Sequence, residues 1–237
     1  MQAVVPAAGR GSRLRPLTDD RPKGLVDVAG RPILTHCFET LVDLGVDELI
    51  VVVGYRGDDI VAHYGEAFAG VPVTYVRQAE RTGLADAVLT AEDHVTGDFL
   101  VMNGDNVYDA DLSPVVATHG PDVDATLLVD EVAPERAGRG GVFELDDGEV
   151  VGLVEKPERA PSTRIPRGFH AFSPRIFHAC HLVEPARTGE HELTDAVDLL
   201  LYAGARVEFV EFEGWCTNVN TPDDRRTAGA HLSGENT

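Results

Sequence analysis

The sequence predicts an α/β fold built on a mainly parallel central sheet. After an apolar amino terminus, apolar runs bounded by turn residues predict buried strands at 49–53, 73–76 and 99–102. Amphipathic segments between them predict helices, one opened by Arg31-Pro32 and ended by Gly45, and one over 84–91. Strands that alternate with helices form parallel sheets covered on both faces, and such sheets bind ligands at the carboxyl ends of their strands.

The pattern changes after residue 133 and predicts an antiparallel hairpin. Strand-like runs at 140–145 and 150–155 flank Asp147-Gly148, a dipeptide typical of tight hairpin turns. The remaining segments predict a strand over 164–172, a helix after Ser173-Pro174, a helix over 193–202, a strand over 207–212 and a closing helix from Pro222. We expect a single domain over 1–237 made of two halves, about 1–132 and about 133–237.

The composition limits the classes of partner. The formal net charge is −20, with acidic residues spread along the chain, so the surface repels phosphate and we expect neither nucleic acid nor an anionic membrane as partner. No stretch approaches the roughly 20 apolar residues of a membrane span, and the apolar amino terminus is too short for a signal peptide. Scattered cysteines without a Cys-x-x-Cys pair favour a reduced, cytoplasmic setting.

Lysine is almost absent from this chain. Lys23 and Lys156 are the only lysines among 20 basic residues. An acidic, lysine-poor surface suits high salt, where screening relieves self-repulsion, and it predicts a halophilic source. Where lysine is otherwise avoided, the two that remain are candidates for phosphate-binding point charges, with chance retention as the alternative.

The stretch after the first strand has the features of a phosphate-binding loop. Gly9 and Gly11 allow a close backbone approach, and the amides of such a loop converge on an anion. Arg13 and Lys23 add positive charge beside it. Leu14 stands where a dinucleotide fingerprint needs glycine, and a P-loop would need Gly-Lys-Ser/Thr, so both motifs are excluded. The predicted loop residues are Ala7, Ala8, Gly9, Arg10, Gly11, Ser12 and Arg13.

A bare Gly-x-Gly also fits a tight turn, but the full spacing is more specific. With Arg13, Leu14, Pro16 and Pro22-Lys23 in place, it resembles the opening signature of the sugar-1-phosphate nucleotidyltransferases, which include glucose-1-phosphate thymidylyltransferases and uridylyltransferases. The resemblance implies a Rossmann-like sheet of the nucleotide-diphospho-sugar transferase type with an antiparallel hairpin insertion. It also implies that the loop holds the phosphates of an NTP, with Arg13 and Lys23 as catalytic cations. Pro6 departs from the family's usual aliphatic residue and predicts the loss of one ladder bond.

Two motifs point to a divalent metal. Gly104-Asp105-Asn106 follows the predicted strand 99–102, where a carboxylate can hold Mg²⁺ together with phosphates; a simple turn is the alternative. The family resemblance identifies Asp105 as the metal-binding aspartate. The segment from Trp215 to Pro222 resembles the family's closing motif, with Asn218 in place of the usual second metal aspartate, as in the acetylglucosamine uridylyltransferases. A helix-capping role is the alternative for Asn218.

A further segment resembles the family's base-recognition loop. Gln78 and Gly83 stand at the matching positions. A glutamine amide offers both a donor and an acceptor, which match the imide edge of uracil or thymine. The resemblance therefore favours UTP or dTTP, whereas without it a surface glutamine is the better interpretation.

The predicted sugar-phosphate site contains Glu155, Lys156, Gly141 and Gly168. In the family the glutamate of Glu-Lys-Pro contacts sugar hydroxyls and the lysine binds the sugar phosphate, whereas the alternative is a surface ion pair. Neighbouring strand residues point to opposite sides, so Glu155 and Lys156 can share a ligand only if the strand ends or bends there. Gly168 lies in a segment similar to the family's sugar-contact strand, but Arg167 replaces the usual asparagine or threonine.

Together the motifs resemble those of the family in the same order, and the resemblance implies transfer of a nucleotidyl group from an NTP to a sugar 1-phosphate, with Mg²⁺ as cofactor and release of pyrophosphate. Residues 1–132 are then the nucleotide-binding half and 133–237 the sugar-phosphate half. Such chemistry needs positioning and charge stabilisation, without a covalent intermediate. Two alternatives stay open: a cytidylyltransferase for phosphocholine or another alcohol phosphate, and a non-catalytic nucleotide-sugar-sensing subunit. A homo-oligomer is compatible with the sequence.

Overall fold

The computed structural model describes residues 1–80, 82–147, 149–186 and 189–234. The strands are β1 (Gln2–Pro6), β2 (Asp27–Val28), β3 (Arg31–Pro32), β4 (Glu48–Val53), β5 (Ala67–Phe68), β6 (Val71–Arg77), β7 (Phe99–Met102), β8 (Asn106–Asp109), β9 (Ala125–Glu131), β10 (Gly141–Asp146), β11 (Glu149–Glu155), β12 (Arg164–Phe172), β13 (Val207–Glu211) and β14 (Trp215–Asn218). The helices are α1 (Ile33–Asp43), α2 (Gly57–Tyr64), α3 (Leu84–Leu89), α4 (Ser113–Thr118), α5 (Arg175–Leu182), α6 (Leu193–Tyr202) and α7 (Pro222–Leu232).

These elements form two compact units. Unit 1 comprises Met1–Arg81, Met102–Leu112 and Glu213–Thr237, and unit 2 comprises Thr82–Val101 and Ser113–Phe212. Each unit is assembled from separate stretches of the chain. The interpretation of 1–237 as one domain with halves at about residue 132 stays a prediction.

Unit 1 is a parallel sheet with helical cover. Strands β1, β4 and β6 are parallel neighbours, and the short β5 pairs antiparallel with β6. All residues of β4 after Glu48 are buried, as expected for a strand covered on both faces. Beside this sheet, β14 and β8 form an antiparallel ribbon in which Asn218 lies opposite Asn106. The ribbon therefore places the closing motif beside the Gly-Asp-Asn turn.

Two predictions at proline residues can be compared with unit 1. The helix predicted to open at Arg31-Pro32 begins at Ile33, because both residues pair with β2 in a two-stranded ribbon and Pro32 keeps an extended ψ of 146°. Pro6 lies opposite Val52 at the end of β1, and the Ala7 N–H, one residue on, donates to the Val52 carbonyl over 2.8 Å. The ladder thus continues past the position where proline supplies no donor.

Unit 2 contains the second set of strands. Strand β13 runs parallel to β9, and β12 runs antiparallel to β9. Strands β10 and β11 form the predicted hairpin, with Gly141 opposite Glu155. Asp147 in its turn has a φ of +48°, whereas Gly148 of the predicted turn lies outside the described residues. The predicted class, a mainly parallel α/β fold with an antiparallel hairpin, is confirmed.

Among the helices of the described residues, none is long and apolar enough to cross a membrane. Among the described residues, Cys37, Cys180 and Cys216 form no disulfide. The buried cysteines keep their protons, because burial and then the Asp105 charge raise the pKa of Cys37, and burial followed by nearby carboxylates raises that of Cys180 to about 12.

Candidate functional site

The glycine loop of unit 1 is folded tightly around Gly11. This residue has a φ of +63°, and a Cβ there would lie 3.0 Å from side-chain atoms of both Lys23 and Thr18. The Thr18 hydroxyl also donates to the Gly11 carbonyl over 2.8 Å. A Cβ at Gly9, by contrast, would meet no atom within 4 Å. The left-handed backbone and the close packing therefore favour glycine at position 11, whereas the space beside Gly9 is open.

The remaining loop residues differ in what they can offer. The Ala7 amide is already used in the sheet, since it donates to Val52. Ala8 packs against Gly54, where a Cβ would lie 2.8 Å from the Ala8 methyl carbon. Arg10 is exposed, and its guanidinium lies over the Tyr55 ring at 5.0 Å. Ser12 begins a short 3₁₀ turn to Leu14. The amides that follow Ala7 are thus the candidates for anion binding, and this role stays a prediction.

A network of charged and amide side chains, here called the Lys23 cluster, brings together Lys23, Asp105, Asn220 and Arg13. The Lys23 ammonium donates to Asp105 Oδ2 over 2.6 Å and to Asn220 Oδ1 over 2.8 Å. Arg13 Nη2 donates to the same Asn220 oxygen over 3.0 Å. Only 12% of the Lys23 side chain and 26% of the Asp105 side chain are exposed. The predicted catalytic cations and the predicted metal ligand therefore meet in unit 1, where Lys23 and Asp105 are partly buried and Arg13 is exposed.

Packing of the backbone holds this cluster in place. A Cβ at Gly24 would lie 2.4 Å from Leu34 Cδ1, so the chain after Lys23 lies directly on helix α1. The Asp105 carbonyl accepts a hydrogen bond from Val219 N–H over 2.8 Å. Asp105 is a turn residue, which agrees with the simple-turn alternative, and its carboxylate also accepts a hydrogen bond from Lys23. The turn and the candidate metal ligand are thus compatible interpretations.

The structure distinguishes the two asparagines of the closing motif. Asn218 is exposed at the end of β14, and its metal-binding role stays a prediction. The alternative, in which Asn218 caps the next helix, is wrong. Helix α7 is capped by Thr221, whose hydroxyl accepts from Asp224 N–H while the Asp224 carboxylate accepts from Thr221 N–H. Asn220, two residues further along the motif, is the asparagine that lies in the Lys23 cluster.

The donor set of the cluster fits a hard divalent cation. Within the described residues, no group of three His, Cys, Asp or Glu side chains comes together as a metal site. Mg²⁺ does not need such a group, because it keeps several waters and is bound through one or two carboxylates plus substrate phosphates. The Asp105 carboxylate and an asparagine amide oxygen are ligands of this kind.

Gln78, the predicted base-recognition residue, is buried in unit 1. The residue is 7% exposed, and its backbone N–H donates to the Val53 carbonyl over 2.9 Å. Beside it lies an open cavity of about 420 Å³, lined by Arg10, Gly54, Tyr55, Arg77, Gln78 and Ala79. Recognition of a base by Gln78 stays a prediction.

Gly83 lies in unit 2, where close packing requires glycine. Its φ is +125°, and a Cβ would lie only 2.2 Å from the His191 carbonyl oxygen. The neighbouring Ala85 N–H donates to that carbonyl over 3.0 Å, and His191 N–H donates back to the Thr82 carbonyl. Whatever its role toward a base, Gly83 is needed to join the start of α3 to the segment at 191.

We expect Gly83→Ala to destabilise the protein more than Gly204→Ala. Both glycines have positive φ, which costs a Cβ-bearing residue about 1–3 kcal/mol, but Gly204 has open space around it. The overlap with His191 should add at least about 1 kcal/mol to the free-energy cost at position 83. Urea unfolding of both variants measures this difference. Equal midpoints for the two variants would contradict the crowding argument.

Glu155 and Lys156 converge in unit 2, as the shared-ligand prediction requires. Strand β11 ends at Glu155, and Lys156 turns away from the strand with a φ of +43°. The Lys156 ammonium reaches Glu155 Oε1 at 2.8 Å and Glu192 Oε1 at 3.1 Å. Burial alone would lower the pKa of Lys156, but Glu155 and then Glu192 raise it more, and the net shift is upward. The lysine therefore stays charged, as a phosphate-binding group must.

The two predicted sugar-contact glycines lie in strands of the same unit. A Cβ at Gly141 would lie 3.0 Å from the Thr194 hydroxyl. Gly168 has a φ of +65° where the β12–β9 register shifts, between Pro166 and His170. Arg167, the departure from the family pattern, pairs with Asp130 and lies 5.6 Å from the Phe212 ring centre. Its charge is thus balanced inside the unit.

The comparison with known families decides the assignment. The family model described as Nucleotidyl transferase matches residues 2–228. The chain belongs to this family. The resemblance drawn from the motifs is therefore confirmed.

Individual relatives of this nucleotidyltransferase support the assignment. The UTP–glucose-1-phosphate uridylyltransferase AglF of Haloferax volcanii is 50% identical over 100% of this chain and 98% of its own length. The low-salt glycan biosynthesis nucleotidyltransferase Agl11 of the same organism is 35% identical over 94% of this chain, which spans only 64% of Agl11. A Bacillus anthracis structure provisionally assigned as a glucose-1-phosphate thymidylyltransferase, in complex with sucrose, has a TM-score of 0.89 at 27% identity, covering 100% of this chain and 97% of that one.

Sequence reasoning missed two contacts in this nucleotidyltransferase. Asn220 was available from the same closing motif as Asn218, since both are asparagines in the stretch Asn218-Val219-Asn220. Glu192 carries no local signal of a role, because it approaches Lys156 from 36 residues away. The motif offers Asn220 as an alternative ligand, whereas the contact of Glu192 is visible only in the folded chain.

Proposed function

We propose that this nucleotidyltransferase transfers a nucleotidyl group from an NTP, UTP or dTTP, to a sugar 1-phosphate and releases pyrophosphate. The observation that carries the proposal is the Lys23 cluster, in which Arg13, Lys23 and the Asp105 carboxylate come together beside the glycine loop. AglF is named for UTP and glucose 1-phosphate, and at 50% identity this pair is the first to test here.

The reaction is an in-line displacement. An ionised phosphate oxygen of the sugar 1-phosphate forms a bond to the α-phosphorus, and the bond from that phosphorus to the bridging oxygen of pyrophosphate breaks. Both reactants are anions, so the chain must supply positive charge and orientation. Arg13 would neutralise charge on the departing pyrophosphate, and Lys23 would do so at the α-phosphoryl group. Loop amides over 8–13 would hold the remaining phosphate oxygens.

The sugar 1-phosphate would be bound by groups of unit 2. Lys156 would bind its phosphate, and Glu155 would accept hydrogen bonds from sugar hydroxyls. Gly141 and Gly168 would contact the sugar through their backbone atoms; Thr194 occupies the space where a Cβ at Gly141 would stand. Two neighbouring residues can take these separate roles because the strand ends between them.

Mg²⁺ is the proposed cofactor, with Asp105 as its principal ligand. Asn218 is the second ligand predicted from the motif, and the structure adds Asn220 as a candidate. When bound, the ion supplies positive charge to the phosphate oxygens as charge shifts during transfer. The Asp105 carboxylate would then exchange part of its contact with Lys23 for the ion.

A grid of NTPs against sugar 1-phosphates and phosphocholine, with pyrophosphate release as the readout, tests the proposal. We expect release with UTP or dTTP and a hexose 1-phosphate. Activity confined to CTP and phosphocholine would identify a cytidylyltransferase. No release with any pair would instead favour the non-catalytic, nucleotide-sugar-sensing subunit. Either outcome overturns the proposal.

We further propose a cytoplasmic, high-salt setting, supported by three cysteines without a disulfide, the charge of −20 and a relative from Haloferax volcanii. The protein should then lose structure when KCl is lowered from about 1 M to about 0.1 M, since the Debye length grows from about 3 to about 10 Å and carboxylate repulsion increases. Far-UV circular dichroism across the dialysis measures the loss. An unchanged spectrum at low salt would argue against a halophilic adaptation.

A further inference from the structure

Lys156 is held by two carboxylates that have different surroundings. The side chains of Glu155 and Glu192 are 12% and 11% exposed, whereas that of Lys156 is 45% exposed. Glu155 also accepts a hydrogen bond from the Thr194 hydroxyl over 2.9 Å. The ammonium thus lies at the surface of unit 2, and the two groups that orient it lie below.

The two carboxylates have different proposed contacts during catalysis. In the proposed function Glu155 accepts hydrogen bonds from sugar hydroxyls, so its oxygens must serve the sugar, Thr194 and Lys156. Glu192 has no proposed contact with the sugar. A lysine ammonium has three donors, and when two point to these carboxylates the third is left for a phosphate oxygen. Glu192 is therefore the partner that can keep Lys156 in place while Glu155 engages the sugar.

The backbone that carries Glu192 is fixed at both ends. The Glu192 carbonyl accepts from Asp195 N–H over 3.1 Å at the start of α6. On its other side, His191 exchanges backbone hydrogen bonds with Thr82 and Ala85. A carboxylate mounted on such a segment can hold a flexible lysine in one orientation, which reduces the entropy lost when phosphate binds.

We propose that Glu192 is a positioning residue for the sugar-phosphate step, which acts by holding the Lys156 ammonium toward the phosphate without touching substrate itself. The inference rests on the proposed function. Burial and then the Glu155 charge raise the pKa of Glu192, Lys156 offsets part of the rise, and the net shift is upward. The lysine is therefore the group that stabilises the Glu192 charge.

Glu192→Ala tests the proposal through separate KM values. We expect the KM for glucose 1-phosphate to rise at least about tenfold, as for loss of a hydrogen bond between charged groups, with the KM for UTP within about twofold of the wild type. Glu192→Gln should recover to within about threefold, because its amide oxygen still accepts from the ammonium. Glu184→Ala, at an exposed carboxylate of the same unit, is the matched control.

A double-mutant cycle identifies the path of the effect. If Glu192 acts through Lys156, Glu192→Ala should change the KM for glucose 1-phosphate little in a Lys156→Ala background. Should Glu192→Ala fail to stay folded by circular dichroism, Glu192→Leu, which retains the side-chain volume, takes its place in every comparison.

Three results would overturn the positioning role: a KM in Glu192→Ala equal to that of the Glu184→Ala control, an equal rise in the KM for both substrates, or an undiminished effect without Lys156. In each case wild-type activity would still support the proposed function. If the wild type releases no pyrophosphate with any substrate pair, the function itself fails and the positioning role fails with it.

Discussion

Asp105→Ala should reduce turnover at least about a thousandfold while the protein stays folded. Removing the carboxylate removes the proposed principal metal ligand and the 2.6 Å partner of Lys23, and a bound divalent ion contributes several kcal/mol to charge stabilisation. The fold should persist because Lys23 retains Asn220 as an acceptor and the backbone bond from Val219 to residue 105 does not depend on the side chain. Pyrophosphate release and circular dichroism measure the two effects.

Asp109→Ala is the matched control for this substitution. Asp109 lies on β8, four residues beyond Asp105, and its exposed carboxylate pairs with His231 at the surface. Loss of that pair should leave turnover close to the wild-type value, because a surface ion pair contributes little. An Asp105→Ala variant that is folded and as active as Asp109→Ala would refute the metal assignment.

Asn220→Ala should lower kcat/KM about a hundredfold and should be more damaging than Asn218→Ala. The Asn220 oxygen accepts from both Lys23 and Arg13, so its loss releases two cations from their common acceptor. Loss of one oxyanion-hole donor typically costs about 10²–10³-fold, and we expect a similar loss when two cations that face the phosphates lose their common anchor. Asn218 is exposed at the end of its strand, and alanine there leaves the Lys23 cluster intact.

The Mg²⁺ dependence of both variants separates the two asparagines further. If Asn220 is the second ligand, only Asn220→Ala should need more Mg²⁺ for half-maximal activity. A larger requirement in Asn218→Ala would instead establish the ligand predicted from the motif and leave Asn220 as an organiser of the cations. If neither variant differs from the wild type, the second ligand is not an asparagine of this motif.

Much of the secondary structure follows from local sequence pattern. The strands Phe99–Met102 and Arg164–Phe172 and the helix Leu193–Tyr202 lie where the pattern predicts them, because apolar periodicity and turn residues act over a few positions. For the helix that begins at Ile33, the sequence pattern predicts a start two residues too early. Pairing of Arg31-Pro32 with β2 competes there with helix initiation, and a pairing partner is not visible in the helix pattern itself.

The glycines show how far a local rule extends. Gly11 was predicted from the loop motif, and the structure supplies the packing reason in Lys23 and Thr18. Gly83 was predicted from the base-loop resemblance, but the group that excludes a side chain is His191, more than a hundred residues further along the chain. A sequence motif can thus identify a required glycine without revealing the contact that requires it.

The sequence by itself determined the family, the parallel α/β class and the position of the glycine loop, and it singled out the two lysines as candidate phosphate-binding residues. These features depend on residue types at short, fixed spacing. Only the tertiary structure decided that Asn220 joins Lys23 and that Glu192 holds Lys156. Those partners are separated by 197 and 36 residues, and a contact across such distances depends on how the strands pair. The physical reason is that the chemistry of a side chain is given by its residue type, whereas the partner of a charged side chain depends on which distant segments the folded backbone brings together.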